Sequence, residues 1–358
     1  MIVKLKDVCI KGTSNIRQKD VNDSGRYPVY GAAGPVGFMN SFQYDEPYVG
    51  VVKDGAGIGR ATYLPSNSSI IGTMQALIPK KNVLPKYLYY AVSSMHLEKY
   101  YSGATIPHIY FKNYKYERFV LVSKKEQEQI IWRFSLLEKM ISNKQQQLLK
   151  LDELIKARFV EMFGDPRCNN FNWKKSSIKK SCTLKSGKSL AVSIENEGGD
   201  IPYIKVKDMN NPKNIPYITT SSKFVKIENV EKQIFPPGTV IFPKRGGAIG
   251  TNKKRLTEVT ICADLNIMGV IPNAEKLNSQ YLFAYFKTID LKTLNNGSSV
   301  PQINNKDIEP LEISLPPLSL QNEYANFVQQ VDKSKVVIQK SLDETQKLYD
   351  SLMQEYFG

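Results

Sequence analysis

The 358-residue chain contains one long internal repeat, in which the second copy follows the first at an offset of 194 residues. The match runs without a gap over the last third of each half. It pairs Tyr87, Leu97, Pro107, Ile109, Lys112, Leu121, Gln127, Leu148 and Leu154 with Tyr281, Leu291, Pro301, Ile303, Lys306, Leu315, Gln321, Leu342 and Leu348. A solenoid repeat has a period of about 20 to 50 residues, so this one is a duplicated domain. We expect a monomer that imitates a two-fold symmetric dimer.

Each half ends in a segment with the spacing of a coiled-coil seam. In the first half, steps of four and three residues reach Ile130, Phe134, Leu137, Ile141, Lys144, Leu148, Leu151, Ile155, Arg158 and Met162. The second half gives Tyr324, Val328, Val331, Lys335, Ile338, Leu342, Thr345, Tyr349, Leu352 and Tyr356. Gly164 and Pro166 are typical of a helix end. We predict two helices of about 60 Å that pack against each other.

The connection between the halves predicts how the two helices run. A similar globular region precedes each helix, so an antiparallel pair places these regions at opposite ends, related by a pseudo-two-fold axis. Lys144 and Lys335 are cations within the seam. They either fix the register of the pair or extend their ammonium groups to solvent.

The globular regions are rich in short β-branched and aromatic segments that Gly, Pro and Asn interrupt. Residues 48–52 and 239–242 read as strands, and residues 85–101 and 279–294 read as helices. We predict mixed α/β (α+β) globular domains at residues 1–122 and 165–316. The two long helices occupy residues 123–164 and 317–358.

The charge indicates an anionic partner. Lys and Arg outnumber Asp and Glu by 49 to 34, which gives a formal net charge of +15. Such an excess is typical of nucleic-acid binding, although solubility alone can also account for it.

The composition excludes several other classes of protein. The four cysteines, Cys9, Cys168, Cys182 and Cys262, lack the paired spacing of a metal site and read as reduced thiols. With two histidines, a His-rich zinc or iron site is excluded. We find no signal-peptide run and no stretch near the roughly 18 apolar residues of a membrane helix, so we expect a cytoplasmic protein without a membrane partner.

Glycine-rich turns follow the strands at residues 53–60 and 244–250, with basic residues at their edges: Lys53, Arg60, Lys244 and Arg245. Two interpretations stay open, a loop that approaches phosphates and a tight hairpin with solvated cations. Neither turn has the glycine spacing of a dinucleotide-binding loop. Residues 185–189 resemble the end of a phosphate-binding loop, but Cys182 stands where its first glycine is needed.

No catalytic constellation emerges, so we predict a non-catalytic protein. His108 has no acid or cysteine nearby in sequence, and its repeat counterpart is Gln302. A catalytic base does not tolerate that change between two copies of one function. Histidine and glutamine can both reach base edges, so this pair of positions could contact DNA. The alternative is that each is a loop residue whose polar groups form hydrogen bonds with the backbone.

Several motifs together resemble a known family. They are the opening at residues 25–31 (GRYPVYG), its match at residues 199–205 (GDIPYIK), and the helix endings at residues 162–166 (MFGDP) and 356–358 (YFG). Because these motifs occur in this order within a duplicated sequence, the chain resembles, over essentially its full length, the specificity subunit of type I restriction-modification systems.

The resemblance implies two target recognition domains, each of which reads half of a bipartite double-stranded DNA sequence, with the helices as a ruler between them. It also implies two methyltransferase subunits as partners, which flip and methylate adenine with S-adenosylmethionine, and restriction subunits in some assemblies. The chain itself then holds no cofactor and no metal. The helices are the expected dock for the methyltransferases.

The resemblance does not locate the DNA contacts, so these predictions rest on local chemistry. They are Tyr30, Lys53, Arg60 and His108 in the first domain, and Lys205, Lys207, Lys244, Arg245, Lys253, Arg255 and Gln302 in the second. Two other functions stay open. A stand-alone DNA-binding protein, either a repressor or a decoy, binds its target without partners, and an undetected enzyme shows activity as the purified chain.

Overall fold

The computed structural model describes residues 1–103, 106–166, 168–196, 198–294 and 300–358. The chain forms two compact units. Unit 1 contains Met1–Gln146 and Ile338–Gly358, and unit 2 contains Gln147–Val337. Both units mix strands and helices, which confirms the predicted fold class.

Unit 1 holds a globular domain built on small sheets. Its strands are β1 (Ile2–Lys4), β2 (Cys9–Gly12), β3 (Tyr27–Gly31), β4 (Gly34–Met39), β5 (Tyr48–Val52), β6 (Ala61–Leu64), β7 (Ser69–Ile70), β8 (Met74–Pro79) and β9 (Arg118–Val120). Its helices are α1 (Leu5–Val8), α2 (Pro85–Ser94) and α3 (Phe111–Tyr114), with α4 (Lys124–Phe163) continuing into unit 2. The sheets have the orders β2-β8-β5-β6, β4-β3-β7 and β1-β9.

Unit 2 is built in the same way. Its strands are β10 (Lys175–Ser177), β11 (Cys182–Ser186), β12 (Ile201–Ile204), β13 (Tyr217–Ile218), β14 (Phe224–Val225), β15 (Ile234–Phe235), β16 (Val240–Pro243), β17 (Arg255–Thr257), β18 (Ile261–Ala263), β19 (Ile267–Pro272) and β20 (Glu312–Ser314). Its helices are α5 (Ile178–Ser181), α6 (Val192–Asn196), α7 (Ser279–Thr288) and α8 (Asn305–Ile308), with α9 (Leu318–Phe357) ending in unit 1. The sheet orders are β11-β19-β16-β17-β13, β14-β12-β18-β15 and β10-β20.

The duplication extends into the part of each domain where the two sequences do not match. The antiparallel order β2-β8-β5-β6 in unit 1 has its equivalent in β11-β19-β16-β17 of unit 2. Unit 2 adds β13 at the edge of this sheet, next to β17. The two domains therefore share one central sheet and differ in what surrounds it.

The short helices pack on these sheets at equivalent places. Tyr87 of α2 donates its hydroxyl to the carbonyl of Val120 at 2.7 Å, and Tyr281 of α7 donates to the carbonyl of Ser314 at 2.9 Å. The helix predicted over residues 85–101 is interrupted. His96 adopts a left-handed φ of 50°, which ends α2 before a 3-10 turn at Leu97–Tyr100.

The long helices pair in antiparallel fashion within each unit. In unit 1, the ring of Phe134 on α4 lies 5.1 Å from that of Tyr349 on α9, and Lys144 donates to the hydroxyl of Thr345 at 2.7 Å. As residue numbers rise along α4, those of its partners fall. All twenty predicted seam positions are buried or half-buried.

The same seam continues within unit 2. Lys335 on α9 forms an ion pair with Asp152 on α4 at 2.7 Å, and the ring of Tyr324 lies 5.5 Å from that of Phe159. Both seam lysines, Lys144 and Lys335, therefore bind the opposing helix of their own unit. This arrangement supports the register interpretation, since each ammonium group has a partner on the opposing helix.

Candidate nucleic-acid interface

The glycine-rich turn of unit 1 is bound to a second loop. The amide of Gly55 donates to the carbonyl of Pro107 at 2.9 Å, and the amide of Ile109 donates to Lys53 at 2.9 Å. Gly59 has a φ of 83°, and a Cβ there would lie 2.4 Å from the Glu98 amide nitrogen. Only glycine fits this position. We call residues 53–60 and 106–110 the loop pair of unit 1.

Unit 2 contains the same loop pair, at residues 244–251 and 300–304. The amide of Gly246 donates to the carbonyl of Pro301 at 2.8 Å, and the amide of Ile303 donates to Lys244 at 2.9 Å. Both bonds are the counterparts of those in unit 1. The two units thus present one backbone scaffold with different side chains, so different surfaces can be displayed from a constant frame.

In unit 1 this scaffold carries an acid–imidazole pair. Nδ1 of His108 lies 2.7 Å from Oδ1 of Asp54, and both side chains are partly exposed. The ring of Tyr110 stacks on that of His108 at a centroid distance of 6.2 Å, and Nζ of Lys112 lies 5.4 Å from the Tyr110 ring centroid. A polar edge, an aromatic face and a cation therefore lie side by side.

In unit 2 the equivalent positions hold other groups. Arg245 pairs with Gln302 through an isolated bridge, as Asp54 does with His108 in unit 1. Gln302 donates its amide to Oδ1 of Asn304 at 2.7 Å, and Arg245 is exposed. The acid of unit 1 is thus replaced by a cation, and the imidazole by an amide.

The lysines that begin the two loop pairs differ in exposure. Lys53 is half-buried, whereas Lys244 is buried and its Nζ donates to Oγ of Ser186 at 2.7 Å. Burial, and then the charge of Arg245, lowers the pKa of Lys244. Lys244 therefore supports the loop from inside the domain.

Two further predicted residues join the unit 1 loop to the rest of its domain. Arg60 is exposed and donates from Nη2 to the carbonyl of Ala32 at 2.8 Å, which connects the glycine turn to the β3–β4 hairpin. Tyr30 is half-buried and packs against a core cluster around Tyr48 and Ile70. Arg60 keeps an exposed charge, while Tyr30 contributes mainly to packing.

The remaining predicted cations of unit 2 are mostly bound within the domain. Lys205 contacts both carboxylate oxygens of Glu195 at 2.8 Å, and Lys253 donates to Oδ1 of Asn210. Arg255 donates to the carbonyl of Met209 from Nε and Nη2, at 3.2 and 3.0 Å, and burial lowers its pKa.

Lys207, by contrast, is exposed. Of the seven residues predicted for unit 2, the structure therefore brings Arg245 and Gln302 together and leaves Lys207 apart with its charge accessible.

The predicted DNA contacts do not include a basic cluster on the β1–β9 side of unit 1. The ammonium groups of Lys4, Lys6 and Lys115 lie 5.4, 5.0 and 4.9 Å from the centroid of the Tyr116 ring. The equivalent β10–β20 region of unit 2 carries ion pairs instead, Lys175–Glu312 and Lys179–Glu309, each at 3.0 Å. A comparison of the two strand pairs, rather than of the aligned repeat, reveals this difference in charge between the units.

Sequence reasoning also missed Asp54 and Asn304. Asp54 adjoins Lys53 in sequence, but its partner lies 54 positions away. Among the described residues, no group of three or more His, Cys, Asp or Glu side chains could hold a metal ion. Within the same part of the chain, no helix is long and apolar enough to cross a membrane.

Comparison with known proteins gives a consistent result. The model of the type I restriction modification DNA specificity domain matches residues 1–153 and 170–346. The type I restriction enzyme MjaIX specificity subunit of Methanocaldococcus jannaschii is 23% identical over 304 residues, which cover 77% of this chain and 69% of that protein. The putative type I restriction enzyme MjaX specificity subunit of the same organism is 23% identical over 303 residues, covering 77% of this chain and 68% of the relative.

The fold is also similar to a solved structure. The S subunit of a type I restriction-modification system from M. genitalium superimposes with a TM-score of 0.65 and 16% identity. The alignment covers 100% of this chain and 96% of that one.

Proposed function

Since the chain belongs to the family of type I restriction-modification specificity subunits, we propose that it selects a bipartite DNA target, with one half read by each unit. The observation that carries this proposal is the loop pair. Its backbone hydrogen bonds are the same in both units, while its polar groups change from Asp54 and His108 to Arg245 and Gln302. A constant frame with variable donors and acceptors is what two different half-sites require.

We further propose that the long helices dock two methyltransferase subunits. On α4, Trp132, Leu136 and Met140 follow one another at steps of four residues and are 66, 44 and 39% exposed. Large apolar side chains aligned on one solvent face of a helix are typical of an interaction surface. A solved structure described as showing complex assembly of the type I restriction-modification system has a TM-score of 0.60 to this chain, at 15% identity.

In this account the chain is a non-catalytic subunit. S-adenosylmethionine binds the partner methyltransferase, restriction subunits join where they are present, and the complex works in the cytoplasm. The exposed cations of the two units supply affinity for phosphate, which is independent of sequence.

The test is selection of randomised duplex DNA by the purified complex of this chain with its methyltransferase. We expect enrichment of a sequence in two separated parts, and loss of that enrichment when the chain is omitted. Enrichment of the same sequence by the chain alone would instead indicate a stand-alone DNA-binding protein. Enrichment of a single uninterrupted sequence would contradict a reader with two recognition units.

A further inference from the structure

The Asp54–His108 pair determines which ring nitrogen of His108 is available to a ligand. An ionised carboxylate can only accept hydrogen bonds, so in the neutral imidazole the proton lies on Nδ1 and is donated to Asp54. Nε2 then carries the lone pair and is an acceptor. Without the carboxylate, the two tautomers of a neutral imidazole are both accessible.

The backbone holds this pair in place from both sides. The amides and carbonyls of Ser102 and His108 exchange two hydrogen bonds at 2.9 Å, and the amide of Ile109 donates to Lys53. Asp54 is bridged to His108 as well. Because the ring is fixed before any ligand arrives, little conformational entropy is lost when it binds.

The surroundings of the pair suit a nucleotide. Tyr110 is 49% exposed and stacks beside the imidazole, and Lys112 lies over the outer ring. Acceptor, aromatic face and ammonium can contact a base edge, a base or sugar face and a phosphate, respectively.

We propose that Asp54 is a positioning residue that fixes His108 as a hydrogen-bond acceptor for an exocyclic amino group, either N6 of adenine or N4 of cytosine, in the half-site read by unit 1. This inference rests on the proposed function. Those two amino groups are the donors that bases present in the major groove. Unit 2 cannot read in this way, because Arg245 stands where unit 1 has the carboxylate.

The first experiment profiles the target of the complex with Asp54→Ala, His108→Ala and the double variant. We expect Asp54→Ala and His108→Ala to relax the same single position by about ten-fold, and the double variant to relax it no further. Asp54→Asn retains an acceptor and should lose less. The matched control is Asp45→Asn, which removes an exposed acid of the same unit and should leave the profile unchanged.

The second experiment uses base analogues at the position so identified. Purine in place of adenine, or 2-pyrimidinone in place of cytosine, lacks the exocyclic amino group. We expect about ten-fold weaker binding by the wild-type complex and no change for the double variant. An equal loss in both complexes would overturn the inference.

Other outcomes separate this inference from the proposed function. A split motif that Asp54→Ala leaves unaltered, or weakens equally at all positions, overturns the role of Asp54 alone. Absence of a split motif with the wild-type chain overturns both. If Asp54→Ala lowers the thermal midpoint, Asp54→Asn and the effect of the analogues on the wild-type complex still decide the question, since neither measurement removes the side chain.

Discussion

Two buried glutamines show how single residues hold each unit together. Oε1 of Gln127 accepts from the amide of Leu84 at 2.8 Å, and its Nε2 donates to the carbonyls of Asn82 and Val122 at 3.0 Å. Gln321 makes the counterpart bonds in unit 2, to Asn278, Lys276 and Pro316. Each buried side chain thus bonds three backbone groups.

Gln127→Ala should therefore lower the free energy of unfolding by about 2–3 kcal/mol, because three hydrogen bonds made by a fully buried side chain are lost. Gln321→Ala should do the same. Gln129→Ala, at an exposed position of α4, is the control and should change stability by less than about 0.5 kcal/mol. Urea unfolding measures all three, and equal effects of Gln127→Ala and Gln129→Ala would refute the assignment.

Lys254 gives a prediction on pH. Its side chain is buried, with Nζ bonded to Oδ1 of Asn252 at 2.7 Å, and burial lowers its pKa to about 8, against a partial opposing effect of Asp290. Above pH 8 the folded protein releases a proton that the unfolded chain keeps until about pH 10.4. Stability therefore rises with pH in this window.

Relative to Lys254→Met, the wild-type protein should gain about 1–2 kcal/mol between pH 7.5 and 9.5. Chemical unfolding at several pH values measures this difference. A difference that stays constant with pH would show that the lysine is charged throughout.

At the level of single residues, the sequence identifies important side chains more reliably than it predicts their roles. Gln127 and Gln321 occupy equivalent positions of the repeat, and the glycines of the loop pair indicate a tight turn in each half. The prediction of Lys205 and Arg255 as DNA contacts rests on their charge alone. The structure binds that charge to Glu195 and to the Met209 carbonyl, and such distant partners follow only from the tertiary fold.

At the level of elements, α4 has two faces with different tasks. Phe134 is fully buried in the seam, where it contacts Tyr349, whereas Trp132 is exposed on the same helix. We expect Phe134 to stabilise the fold and Trp132 to bind a partner.

Phe134→Ala should lower the free energy of unfolding by about 3–4 kcal/mol, since it leaves a cavity among aromatic rings. Trp132→Ala should change it by less than about 0.5 kcal/mol but weaken methyltransferase binding at least ten-fold. Calorimetric titration of each variant with the partner measures the second effect. If Trp132→Ala bound as the wild type does, the exposed stripe would not be the dock.

The helices were predictable from sequence because a period of 3.5 residues fixes the buried face whatever the apolar residue is. The break at His96 was not, since it depends on one left-handed residue. The shared order of the central sheets could not be predicted from the sequence either. Strand pairing depends on burial and on the alternation of side chains between the two faces, so two sheets can have the same strand order although their sequences differ.

At the level of the whole molecule, the duplication predicts independent reading by the two units. His108→Ala should relax a single position in one half of the target, and Gln302→Ala should relax the other half only. Since the two side chains belong to different units, the double variant should show both changes without further interaction, within about 0.5 kcal/mol. Target profiles of the three variants measure this, and a change in both halves from either single variant would argue against separate readers.

Selection of a two-part DNA target by this chain, on behalf of a partner methyltransferase, can be measured in cells. Modification-sensitive sequencing compares genomes from cells that express the methyltransferase subunit with and without this chain. We expect methylated adenine in each part of a split motif, and only when the chain is present. Unmodified DNA from cells in which the two proteins are expressed and bound to each other would contradict it.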